Sequence, residues 1–254
     1  MKTPNFYLLI IGTEILNQRR IDKHFDFVAK TLAPYGHKIK GSFVIEDDPK
    51  LIVESIKFLA SQENSIIFSF GGIGSTPDDY TRLCASIALS DGKLYTHEEA
   101  RDIIIETRGK QLNPHSLKMA KLPKNAVLLK EPYPHVPAFY LEERFFFMAG
   151  FPHMSHPFVE WIVKHFFATK QEYFTKVLSA KCKESDFIDI MEQLPSTIEL
   201  SSLPRYDEKS HEWSVTIHLK GVDEKEVNEA FERFISRLET EAIDYHLNDE
   251  SNLE

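Results

Sequence analysis

Ser65-Ile66-Ile67-Phe68-Ser69-Phe70-Gly71-Gly72-Ile73-Gly74-Ser75-Thr76-Pro77-Asp78-Asp79-Tyr80-Thr81-Arg82 decides how this chain folds. The run at 65–70 is apolar enough to read as a buried strand. Leu83, Cys84, Ile87 and Ala88 follow at helical spacing, with the helix expected to start after Pro77. Three glycines between a strand and a helix let backbone N–H groups approach an anion closely. Two adjacent aspartates enter the same small space. An anion cradle beside paired carboxylates points to a phosphate-containing ligand with a divalent metal between them.

Working outward, 5–11 reads as a first strand ended by Gly12, and Ile21, Phe25, Val28 and Leu32 as a helix face. A second strand at 38–45 and a second helix carrying Leu51, Ile52, Ile56 and Leu59 follow. This alternation predicts an α/β fold, a doubly wound, mostly parallel sheet with helices on both faces. Ligands of such sheets sit beyond the carboxyl ends of the strands. The loops at 12–14, 46–48 and 71–79 should meet there, each bringing an acid. Residues 91–135 are less regular: a helix at 98–108, then Pro114, Pro123, Pro132, Pro134 and Pro137. A hairpin is expected from 138–141 and 144–148, then a helix carrying Phe158, Trp161, Ile162 and His165. The boundaries expected are an α/β domain at 1–168, a small α+β domain at 172–247 and a polar tail at 248–254. In the small domain, strands at 173–181, 197–203 and 213–219 accompany helices at 185–194 and along the stripe Val227, Ala230, Phe231, Phe234, Ile235 and Leu238.

Composition narrows the classes. With 254 residues, 42% hydrophobic and 27% charged, the chain can bury a core without staples. Cys84 and Cys182 lie far apart without metal-type spacing, which favours a reducing cytoplasm. The start reads as a strand, not a signal peptide. No stretch approaches the roughly 20 apolar residues of a spanning helix. Net charge is −9, of which residues 221–254 supply most through eleven acids against three bases. The front is nearly neutral and would not repel a phosphate. No basic patch suggests DNA or RNA as a partner.

Each motif also has a structural explanation. The glycine loop lacks the Walker lysine and the dinucleotide spacing, so it can be a tight turn. Thr76 as N-cap, Pro77 as first helical residue and Asp79 as third would form a capping box, which accounts for one aspartate better than for two. Glu46-Asp47-Asp48-Pro49 can open the next helix, and Glu14 can be a first-turn acid. Arg19, Arg20, Lys23 and His24 can be a solvated face or a grip on the negative end of a nucleotide. His97, His115, His135, His153 and His156 show no ligand spacing, and the acidic face of the last helix reads as solvation.

Taken in order, these segments resemble the CinA-like branch of the molybdopterin-binding-like domain family. The resemblance is carried by Gly12-Thr13-Glu14-Ile15-Leu16, Arg20-Ile21-Asp22-Lys23-His24, Val44-Ile45-Glu46-Asp47-Asp48, the loop at 71–82, and Gly150-Phe151-Pro152-His153-Met154. It spans roughly residues 4–165. The final domain is similar to the KH-like module of CinA proteins. Departures fall at Gln18, His24 and Ser75, where many relatives carry Gly, Asn and Pro. The chain ends before a nicotinamide-nucleotide amidase domain would fit, so that activity is expected to be absent.

The resemblance implies one of two activities: hydrolysis of ADP-ribose or a related dinucleotide with a divalent metal (Mg, Mn or Co), or molybdopterin binding linked to cofactor assembly without hydrolysis. A degenerate domain kept for assembly is a third reading. On the hydrolase reading, Gly71, Gly72, Gly74, Ser75 and Thr76 would bind phosphate. Asp79, with Asp78 or Asp47, would hold the metal, and Glu14 or Asp48 would handle the water. Thr13, Arg20, Asp22 and His24 would hold the distal phosphate or ribose. Relatives commonly oligomerise, so a homo-oligomer is expected.

Overall fold

Six short apolar segments pair edge to edge in the first of the two units into which the chain divides, Met1–Lys170 and Gln171–Glu254. The computed structural model describes residues 4–131, 136–168 and 172–248. The expectations for Pro132, Pro134, His135 and the tail beyond Asn248 lie outside the described residues.

The first unit begins with Asn5–Ile11 (β1), a helical turn Thr13–Leu16 (α1) and His24–Leu32 (α2). Ile39–Ile45 (β2), Pro49–Ala60 (α3), Ser65–Phe70 (β3) and Thr81–Leu89 (α4) continue the alternation. The irregular stretch contains Leu94–Thr96 (β4), Glu98–Arg108 (α5), Pro114–Leu117 (α6), Lys121–Pro123 (β5) and Val127–Leu128 (β6). Phe139–Leu141 (β7), Phe145–Met148 (β8) and Pro152–Phe166 (α7) complete the unit.

The main sheet runs β2-β1-β3-β8-β7-β6. Its first four strands are mutually parallel, and the β7 hairpin and β6 add an antiparallel edge. Alternate residues of one strand face opposite sides of a sheet. Leu9 and Ile11 therefore join Ile52, Ile56, Cys84 and Ala85 on one side. Phe6, Leu8 and Ile10 join Val28, Leu32, Phe158 and Ile162 on the other. Both faces are covered, which is why β1 and β3 read as continuous apolar runs. Arg144 anchors the far end of the sheet: its Nε donates to the Ser65 carbonyl at 3.1 Å and an Nη to Ser65 Oγ at 3.0 Å.

Three expectations are corrected. The helix after the glycine loop starts at Thr81, not after Pro77. Thr76 to Asp79 is a turn, closed by the Asp79 N–H to the Thr76 carbonyl at 3.2 Å. Leu83 and Ile87 are exposed, because α4 turns Cys84 and Ala85 inward. Ile21, expected on a helix face, precedes α2 and is 81% exposed.

The second unit has Phe174–Ala180 (β9), Ile188–Met191 (α8), Glu199–Asp207 (β10), Glu212–Gly221 (β11), Glu224–Thr240 (α9) and Tyr245–Asn248 (β12). Its antiparallel sheet runs β10-β11-β9-β12. All six apolar stripe residues of α9 are buried against Leu178, Ile217 and Leu219. Asp223 caps α9 by accepting the Glu226 N–H at 3.0 Å. The strand at 245 escaped the sequence reading because four residues at a chain end carry almost no periodic signal. Among the described residues no helix is long and apolar enough to cross a membrane.

Candidate functional site

Parallel strands bring their carboxyl ends to one rim, so the segments after β1, β2, β3 and β8 converge. They border a cavity of about 730 Å³. Of the residues expected from sequence, Glu14, Arg20, Asp47, Gly71, Gly72, Gly74, Ser75, Thr76, Asp78 and Asp79 lie on its wall.

The glycine loop is held from inside. Gly71 has φ +103° and donates its N–H to the Met148 carbonyl at 3.0 Å. Gly72, at φ +68°, accepts from the Thr81 N–H at 3.0 Å, and a Cβ there would lie 2.1 Å from Thr81 Oγ1. Asp79 reaches back into the loop: Oδ1 accepts from the Gly74 N–H at 2.8 Å, and Oδ2 from the N–H and hydroxyl of Thr76 at 2.7 and 2.6 Å. The capping box is therefore replaced by an inward-turned carboxylate. Arg82, only 6% exposed, donates to the carbonyls of Ile73 and Gly74 from the other side. Its burial lowers its basicity, and Asp79 opposes that shift. Gly71, Gly74 and Thr76 thus already use their N–H groups. Gly72 and Ser75 keep theirs outside these bonds and line the cavity.

The acids divide by role. Asp47 Oδ2 accepts from Thr13 N–H and Oγ1, both at 2.9 Å, which ties the loop after β2 to the start of α1. Oδ1 takes no part in those bonds. Glu14 pairs with Arg20 at 3.4 Å, and the Arg20 guanidinium lies 4.8 Å from the Phe151 ring centroid. Asp78 is exposed. No group of three or more His, Cys, Asp or Glu able to hold a metal occurs among the described residues.

Four candidates take other places. Asp48 caps α3, accepting the Leu51 N–H at 2.7 Å. Thr13 is the partner of Asp47 and does not line the cavity. Asp22 accepts the N–H groups of His24 and Phe25 at 2.8 and 3.2 Å, opening α2. His24 is buried, stacked on Phe70 at 4.1 Å, with Nε2 3.2 Å from the Gly150 carbonyl. It does not line the cavity, and its Nδ1 is buried without a hydrogen-bond partner among the described residues.

The sequence reading did not count six further wall residues as site residues: Thr107, Arg108, Gln111, Met119, Phe151 and Met154. Phe151 and Met154 adjoin Gly150 and were within reach of a motif argument. The residues of α5 and beyond were not, because folding alone brings that irregular stretch to the rim.

His24 and His156 give the unit a pH response. Burial pushes the His156 imidazole down to about 4, with neighbouring His24 adding to the shift, and burial also lowers His24. Unfolded, both titrate near 6.5. The unfolded chain therefore binds more protons as pH falls from about 6.5 towards 4, and stability is lost across that window. Urea midpoints at pH 7.5 and 5.5 should fall in the wild type. His156→Phe, which keeps the stack on Phe27 seen at 3.7 Å, should flatten the drop.

Comparison with known proteins places the first unit. Residues 7–169 match the family model described as probable molybdopterin binding domain. A CinA-like protein of Colwellia psychrerythraea is 30% identical over 132 residues, covering 51% of this chain and 30% of that one. A competence-damage inducible protein of Bacillus pumilus is 28% identical over 250 residues, covering 93% of this chain and 58% of that one. The matches thus span between 30% and 58% of the length of these two curated relatives. The crystal structure of CinA from Thermoplasma acidophilum, a protein of unknown function, aligns with a TM-score of 0.54 at 25% identity, covering 63% of this chain and 94% of that one.

Proposed function

This chain belongs to the probable molybdopterin binding domain family, and on that premise we propose that it is a metal-dependent pyrophosphatase of ADP-ribose-like nucleotides. One observation supports this reading above others: a cavity of about 730 Å³ on whose wall the glycine loop meets Glu14, Asp47, Asp78 and Asp79. That volume is in the range that encloses a whole small ligand. The N–H groups of Gly72 and Ser75 would donate to a phosphate, while Asp79 and Arg82 keep the loop in shape to receive it.

Magnesium-type ions are commonly held by one or two carboxylates together with substrate phosphates. The donor set fits that pattern and not an all-protein cage. Asp47, through Oδ1, and exposed Asp78 would hold a divalent cation, which when bound offsets phosphate charge and acidifies a water. Glu14 is the carboxylate on the wall left to take the proton of that water. Arg20 orients Glu14 and caps Phe151, whose ring would offer a flat apolar surface to a base.

The experiment is ADP-ribose hydrolysis by the full chain with Mg, Mn or Co, read as release of AMP and ribose 5-phosphate. Asp47→Asn should lower turnover by about a hundredfold, as loss of a metal-supporting carboxylate does. A second reading, binding of a nucleotide or pterin phosphate without hydrolysis, is favoured by Asp79, whose two oxygens serve the loop. Tight binding with no turnover under any of the three ions would select it.

A further inference from the structure

We infer that Arg108, with Gln111, forms a second anion subsite on the cavity wall, which takes the second phosphate of a diphosphate ligand. The inference deepens the nucleotide reading and rests on it. Two arginines line the cavity among the described residues, Arg20 and Arg108. Arg20 is neutralised by Glu14 and lies over Phe151. Arg82, behind the loop, is committed to the Ile73 and Gly74 carbonyls. The Arg108 side chain enters no ion pair or hydrogen bond among the described residues, and its Nε is buried without a partner.

A buried guanidinium N–H without an acceptor is costly. Its position as the last residue of α5 explains a positive charge there, because a helix C-terminus favours a cation. It does not explain a buried donor that nothing satisfies. An acceptor bound at the cavity wall would satisfy the group once the guanidinium turns towards it, and the Nη donors, which are neither buried nor bonded, are already within reach. Gln111, one turn on and exposed, adds two amide donors on the same wall. The guanidinium fork matches a phosphate through two parallel hydrogen bonds. With four carboxylates on the wall, a ligand carrying two phosphates needs such an uncommitted cation, whereas a pterin monophosphate would leave it without a phosphate.

Calorimetric titration of the full chain with AMP, ADP, ADP-ribose, inorganic phosphate and inorganic pyrophosphate tests this. Arg108→Gln should weaken ADP, ADP-ribose and pyrophosphate by about tenfold or more and leave AMP and phosphate unchanged. Arg108→Lys should recover only part of the loss, because an ammonium supplies charge without the fork. The thermal midpoint of Arg108→Gln should hold or rise relative to the wild type, since the variant removes a buried donor that has no protein partner. Equal weakening of all five probes, or no weakening, would overturn the subsite. Pyrophosphate binding that depends on Arg108 while no nucleotide binds would uphold the subsite and remove the nucleotide reading. Failure of the wild type to bind pyrophosphate, ADP and ADP-ribose alike would remove the subsite.

Discussion

Gly71→Ala should unfold or severely weaken the α/β unit and abolish phosphate binding with it. Two effects add at this position. A φ of +103° is strained for any residue with a Cβ, at a cost of about 1–2 kcal/mol. The added methyl would also lie 2.1 Å from the Ile11 carbonyl oxygen, which is strand backbone and cannot rotate away. The Gly150 backbone packs close at the end of β8: a Cβ built there would lie 3.3 Å from the Gly71 Cα. Relief requires β1 and β3 to separate, for a total of at least about 3 kcal/mol. Gly92→Ala is the control: φ is +76°, yet the nearest atom is an Ile87 side-chain carbon at 3.9 Å, so only the backbone strain of about 1 kcal/mol remains. Urea unfolding of the two variants separates steric collision from strain, and similar losses would refute the argument.

Arg82→Met should lose nearly as much, by a different route. The volume is kept and the charge removed, but the carbonyls of Ile73 and Gly74 lose their donor. Leaving a buried acceptor without its donor costs about 1–3 kcal/mol for each carbonyl. Asp79 would survive as a carboxylate with its neutralising neighbour gone, so the loop should loosen from both sides of Gly74. Arg82→Lys should recover part of the loss, since both bonds leave one nitrogen, Nη1, and an ammonium can also donate to two carbonyls. Denaturation midpoints and ADP-ribose affinity should fall together in both variants. A stable Arg82→Met protein with unaltered affinity would show that Asp79 alone holds the loop.

Much of this architecture is legible in the chain. β1, β3 and the β7–β8 hairpin announce themselves as apolar runs, because both faces of the sheet are covered. The α9 stripe is equally plain, since one face of a 17-residue helix must be apolar to dock. Thr76-Pro77-Asp78-Asp79 misleads for a physical reason: the same residue types that cap a helix also close a turn. Which one forms depends on Arg82 lying beneath the loop, and no local pattern conveys that. His24 enters the candidate set by its place in a motif, whereas its stack on Phe70 is a tertiary contact that no local pattern conveys. The rim acids could be anticipated from strand order, but the wall contributed by α5 could not, since nothing in 91–131 fixes where that stretch crosses the sheet.

The bond from Gly71 to Met148 has a bearing on biosynthesis. A ribosome releases the glycine segment long before it releases its support, because β8 is separated from β3 by the whole irregular stretch and the hairpin. Nascent chains that stop short of Met148 therefore carry the whole glycine loop yet lack the brace that shapes it, and the loop must wait for the α/β unit to be nearly fully translated.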